Sequence, residues 1–97
     1  MNIAIEEAKK AGTRGEVPIG AVVIDDRGKI ISRDGNRTIE LNDPTAHAEI
    51  LVIRKACSIL KNQRIYNCSL YVTLEPCPMC AAAISNARIA KLYFGPE

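Results

Sequence analysis

Leu70-Tyr71-Val72-Thr73-Leu74 runs directly into Glu75-Pro76-Cys77-Pro78-Met79-Cys80-Ala81-Ala82-Ala83-Ile84. The first five residues read as a strand, since apolar, aromatic and β-branched side chains fit a pleated, half-buried surface. Pro78 then suits the first turn of a helix: the N–H it lacks has no intrahelical partner there, and its fixed φ is already helical. An alanine-rich, buried helix is predicted over 78–86. A further apolar run, Lys91 to Phe94, predicts another strand. Two strands joined through a helix pair in parallel, because only a crossover of that length returns the chain to the same end of the sheet. This stretch therefore places the chain among α/β proteins.

The N-terminal half supplies the rest of the layers. Ile19 to Ile24 is a continuous apolar run and predicts a buried strand. Asp25 to Gly28 is a turn and Lys29 to Arg33 a returning strand, giving a hairpin. Asp34 to Pro44 reads as a polar loop carrying Gly35, Asn36 and Asn42. Ala46 to Leu60 predicts a helix with Ile50, Ile53, Cys57 and Leu60 on its apolar stripe. Asn2 to Ala11 predicts an amphipathic helix, with Ile5, Ala8 and Ala11 inward, Glu6, Lys9 and Lys10 in water, and Gly12 as its stop.

The 97 residues fit one domain, 1–97, and 47% of them are hydrophobic, so a compact core can form. A domain this small is marginal unless a metal or partner subunit adds stability. A net charge of +2 neither requires nor excludes nucleic acid. No apolar run approaches the ~20 residues that span a bilayer, and Met1 to Lys10 lacks the apolar stretch of a secretory signal. We expect a soluble, cytoplasmic protein with reduced thiols at Cys57, Cys68, Cys77 and Cys80.

The chemistry lies in two short motifs, Thr45-Ala46-His47-Ala48-Glu49 and Pro76-Cys77-Pro78-Met79-Cys80. His47, Cys77 and Cys80 make a three-ligand set for zinc. Three protein ligands and one open position characterise catalytic zinc, whereas structural zinc closes with four. The cysteines stand three apart at a predicted helix start, where both sulfurs can face one point and the helix dipole favours thiolate. Two thiolates, a neutral imidazole and Zn²⁺ sum to zero charge, so the centre can be buried. Glu49 follows His47 by two residues and does not share its helical face. It is left as a free carboxylate beside the metal, as a proton shuttle for a zinc-activated water requires. His-x-Glu with Pro-Cys-x-x-Cys is the signature of zinc-dependent nucleobase deaminases.

The wider sequence resembles the bacterial tRNA adenosine deaminases, members of the cytidine/deoxycytidylate deaminase superfamily. The resemblance runs through Glu16-Val17-Pro18-Ile19-Gly20-Ala21-Val22, Gly35-Asn36-Arg37, residues 43–50, residues 70–77 and Leu92-Tyr93-Phe94-Gly95. It implies a cytidine-deaminase-like fold of α/β/α layers around a mixed sheet, and hydrolytic conversion of the tRNA wobble adenosine to inosine. It also implies a homodimer with active sites near the interface, and the tRNA anticodon loop as partner. By the same resemblance Asn36 and the Ala48 backbone contact the base, Pro76 offers a carbonyl near the leaving amine, and Val17 lines the pocket. Two features depart from the family: Ala82 stands where glycine is usual, and the usual fifth strand and C-terminal helix do not follow Glu97.

Other readings stand beside this one. A deaminase of free guanine or cytosine shares both motifs. A zinc-stabilised interaction domain would bind metal without turnover. Cys77 and Cys80 could form a redox pair, although that leaves His47 and Glu49 unexplained. Cys57 or Cys68 could close a structural zinc site, but both read as packing residues. Asn36, taken by itself, is a turn residue. Lys9, Lys10, Arg14, Lys61 and Arg64 read most simply as solvated surface.

Overall fold

The computed structural model describes residues 1–95. In chain order the elements are α1 (Asn2–Thr13), β1 (Gly20–Ile24), β2 (Ile30–Gly35), α2 (Ala48–Leu60), β3 (Ser69–Val72), α3 (Pro78–Asn86) and β4 (Lys91–Phe94). The sheet order is β2-β1-β3-β4, with β1 antiparallel to β2 and β3, and β3 parallel to β4. The predicted hairpin, the parallel last pair and the mixed sheet are all present.

Alternation along β2 assigns the layers. Arg33 Nε donates to Glu7 Oε2 of α1 at 2.7 Å. Its neighbours meet α2 instead: Ser32 Oγ donates to the Val52 carbonyl at 2.7 Å, and Lys55 Nζ donates to Asp34 Oδ2 at 2.8 Å. Successive strand residues face opposite sides, so α1 and α2 enclose the sheet between them. α1 lies close because two strand positions carry no side chain. A Cβ at Gly20 would strike the backbone of Ala4 and Ala8, and one at Gly35 the backbone of Glu7. On the α2 side, Ala21, Val23, Leu70 and Val72 pack with Val52, Ile53, Ala56, Ile84 and Ala87. Each fully buried Val or Leu there contributes roughly 1.5–3 kcal/mol.

Several local expectations are corrected. α1 runs through Gly12 to Thr13, and the reversal falls at Gly15, whose φ is +85°. Its buried stripe is Ala4, Glu7, Ala8 and Ala11, with Ile5 40% exposed. Glu7 can enter that stripe because Arg33 neutralises it. α2 starts at Ala48, not Ala46, since Ala46 N–H and His47 N–H bond to Asp43 O and Thr45 O in a turn. Its buried face is Ala48, Glu49, Val52, Ile53 and Ala56, while Leu60 is exposed. The grip of Ser32 and Asp34 on Val52 and Lys55 sets that rotation. α3 has the predicted limits but is not a buried helix: only Cys80 and Ile84 are buried in it. Its alanines reflect helix propensity more than core packing. β2 extends to Gly35, and β3 ends at Val72 with Leu74 exposed.

The topology gathers one set of element ends. The start of β1, the ends of β2, β3 and β4, and the starts of α2 and α3 meet at the same margin of the sheet, as binding sites do in open α/β sheets. Among the described residues, no helix is long and apolar enough to cross a membrane.

Candidate active site

His47 and Cys77 are the N-cap residues of α2 and α3, both with extended backbone (φ −73°, ψ 154° and φ −70°, ψ 169°). An N-cap residue has left the incoming loop but has not joined the helix, so its side chain projects across the helix start. Cys80 follows in the first turn of α3 and is fully buried. Two helix starts thus present three donors to one point. His47 Nδ1 lies 3.7 Å from Cys77 Sγ and 3.5 Å from Cys80 Sγ, and the three donor atoms all lie within 4.8 Å of one another.

These separations test the fit to zinc. Zn–N near 2.0–2.1 Å and Zn–S near 2.3 Å in tetrahedral geometry require N···S separations of about 3.6 Å. The observed distances match. The residues therefore fit a zinc ion, with His47 using Nδ1. Neither Cys57 nor Cys68 joins the set: Cys68 is buried in the core and Cys57 is half-buried near the end of α2. Burial, followed by the nearby Glu49 carboxylate and Cys77, pushes the Cys80 thiol far up. A bound divalent cation reverses that preference, since a coordinating thiol is deprotonated.

Glu49 stands in the first turn of α2, is 4% exposed, and does not join the three-donor set. Its Oε1 is the buried side-chain oxygen that lacks a hydrogen-bond partner among the described residues. Burial raises its carboxyl above the usual range, opposed by its own N–H, His47 and Cys80. A buried carboxylate oxygen without a partner is costly, and groups held in this way cluster at functional sites.

Asn36, 4% exposed, lies just past the end of β2. Its Oδ1 accepts from Ala48 N–H at 2.8 Å, its own N–H donates to Ile19 O, and its carbonyl accepts from Arg14 Nη2. The side chain therefore stands beside His47 and Glu49 through the backbone of the residue between them. Its Nδ2 makes no hydrogen bond within the described residues. Pro76 is half-buried, immediately before Cys77. Val17 is 57% exposed in the segment leading into β1, and its carbonyl accepts from Ile19 N–H. A surface hollow of about 420 Å³ lies beside Asp25, Arg64 and Cys68, at the opposite end of β1 from Asn36.

Sequence reasoning missed two supporting acids. Asp34 is 2% exposed and bonds Gly35 N–H, Arg37 Nε and Lys55 Nζ, each at 2.8 Å. Glu16, 6% exposed, accepts from Thr38 Oγ1, Ile39 N–H and Glu40 N–H and so fastens the segment between Asn36 and His47. A signal existed for Asp34: it stands two residues from Ser32, on the same strand face.

Comparison with known proteins agrees with this geometry. Residues 1–96 match the cytidine and deoxycytidylate deaminase zinc-binding region. The chain is 62% identical over 97 residues to the tRNA-specific adenosine deaminase of Agrobacterium fabrum, and 50% identical over 95 residues to that of Haemophilus influenzae. It spans 63% and 55% of the length of those two relatives. Among solved structures, a tRNA:A34 deaminase of wobble A-to-I editing superposes with a TM-score of 0.95 at 63% identity, over 98% of this chain and 68% of the other. The guanine deaminase of Bacillus subtilis superposes with a TM-score of 0.94 at 41% identity, over 99% of this chain and 61% of the other. By sequence match, fold and metal-binding set together, the chain belongs to the cytidine and deoxycytidylate deaminase zinc-binding family.

Proposed function

We propose that this chain carries the zinc centre of a hydrolytic deaminase that converts adenosine to inosine at the tRNA wobble position. The observation that carries the reading is the His47, Cys77 and Cys80 donor set with the buried Glu49 carboxylate beside it, whose Oε1 lacks a hydrogen-bond partner among the described residues. The choice of adenosine in tRNA is supported by the relatives at 62% and 50% identity, which bear that activity in their names.

His47, Cys77 and Cys80 would hold the zinc, which when bound supplies a water acidic enough to lose its proton near neutral pH. Glu49 accepts a proton from the attacking water at its carboxylate and delivers it to the ring nitrogen of the base; it then takes a second proton from the oxygen newly bonded to the ring carbon and delivers it to the amine, which departs as ammonia. Asn36, oriented by Ala48 N–H, turns its Nδ2 donor to the base and fixes its plane. Pro76 offers its carbonyl to the amine, and Val17 lines the rim. The base must leave its stack to reach these groups, which is easiest in a single-stranded anticodon loop. The enzyme acts as a homodimer in the cytoplasm. The exposed outer face of α3 supports an interface beside the metal centre.

A second reading, deamination of free guanine, is favoured by the likeness to the guanine deaminase of Bacillus subtilis. One experiment separates them. The zinc-loaded chain is incubated with an A34-containing tRNA, with free guanine and with free cytosine, and products are read by mass. Inosine in the tRNA alone supports the proposal. Xanthine or uracil without inosine overturns it, and no product with zinc bound assigns the chain a binding role only.

A further inference from the structure

We propose that Asp34 is a positioning residue for the reaction, acting through Asn36 and the first turn of α2; the proposal rests on the deaminase reading above. The Asp34 carboxylate holds both residues that flank Asn36 and also reaches α2. Oδ1 accepts from Gly35 N–H, directly before Asn36, and from Arg37 Nε, directly after it. Oδ2 accepts from Lys55 Nζ, seven residues and about two turns along α2 from Ala48. Arg37 in turn donates its own N–H to the carbonyl of Ala46, the residue before His47, at 3.0 Å. The Asn36–Ala48 hydrogen bond is therefore braced at both of its ends by one buried carboxylate.

A buried carboxylate held by partly exposed cations adds little net stability over apolar packing. What it supplies is geometry, because the Arg37 and Lys55 bonds form together only when β2, the following segment and α2 hold one relative placement. A natural control lies one residue away. Arg33 and Glu7 form a 2.7 Å ion pair on the opposite face of the same strand, with no bond to Asn36 or α2. Losing that pair should weaken the fold without touching the site.

The test compares Asp34→Asn with Arg33→Gln in the full zinc-loaded chain, measuring melting, tRNA turnover and amide hydrogen exchange. Asp34→Asn should raise KM for the tRNA about tenfold, with a smaller change in kcat, as loss of an outer supporting partner does. It should also accelerate exchange of the Ala48 amide at least as much, relative to Val22 and Leu70. Arg33→Gln should lower the melting temperature and leave both ratios unchanged. Lys55→Met removes one of the three bonds at a half-exposed side chain, and should show the same signature in weaker form even if Asp34→Asn folds poorly. The proposal is overturned if the Asp34 and Lys55 variants keep wild-type Ala48 protection, or if their losses only follow melting as in Arg33→Gln. Should the wild-type chain turn over no tRNA, the deaminase reading fails by itself. The Ala48 exchange ratio then still decides whether Asp34 holds that turn.

Discussion

Asn36 Oδ1 accepts a 2.8 Å hydrogen bond from the backbone N–H of Ala48, the residue that separates His47 from Glu49. A side chain just past the end of β2 thus satisfies one of the N–H groups at the start of α2 that have no partner within the helix. In the proposed mechanism this bond ties the side chain that faces the base to the residue between the metal ligand and the proton carrier. Removing it should disturb all three. Asn36→Ala should cost about 1–2 kcal/mol of stability, the usual penalty for a lost cap and an orphaned buried N–H, and nearly all turnover. Asn36→Asp keeps the acceptor and should recover most of the stability while turnover stays low. Urea unfolding and inosine formation measured on both variants check this; equal stability losses would show that Ala48 does not need the acceptor.

Zinc should be structural as well as chemical in its effect. We expect one zinc per chain, and chelation should lower the melting temperature, since metal that binds only the folded state adds its binding free energy to folding. Cys77→Ala and Cys80→Ala should each lose metal and stability together. Metal analysis alongside calorimetry decides it, and a metal-free chain with unchanged melting would contradict the assignment.

Glu49→Gln should separate chemistry from architecture. The carboxylate is buried, lacks a partner at Oε1 and does not join the donor set. An uncharged isostere should therefore keep zinc and melt no lower than wild type. Turnover should fall by at least a factor of about 10²–10⁴, the contribution of a positioned proton carrier. Normal turnover in this variant would remove Glu49 from the mechanism.

Asp34 should leave a signature in acid. Burial acts to raise its carboxyl, but the Lys55 ammonium, the Arg37 guanidinium and Gly35 N–H outweigh that effect and hold it below the ordinary value of 3.8. A carboxyl depressed in the folded state stabilises the protein above its unfolded value, and that stabilisation is lost as pH falls through the folded value. The stability gap between wild type and Asp34→Asn should be constant near neutrality and should close as pH drops below about 3.8. Unfolding curves of both proteins at a series of pH values give the gap directly.

Element order, the limits of α3 and β4, and the membership of the metal set were legible in the residues alone. Those features are local: proline at a helix start, a parallel crossover, and ligand types at fixed spacing carry their meaning within a few residues. The family resemblance of the flanking segments added Asn36, which residue chemistry alone reads as a turn. The tertiary structure decided what depends on partners distant in sequence. Asp34 and Gly35 read as loop because an aspartate disfavours a strand, until Lys55, Arg37 and the close approach of α1 are known. The rotation of α2 could not be read from its apolar stripe, because Ser32 and Asp34 fix it through Val52 and Lys55. The alanines of α3 looked like core, yet only its place at the margin of the sheet shows that most of them face outward. Finally, His47 and Glu49 could be placed beside Cys77 and Cys80 in space only by the convergence of two helix starts. That convergence is a property of strand order, which no single segment of the chain contains.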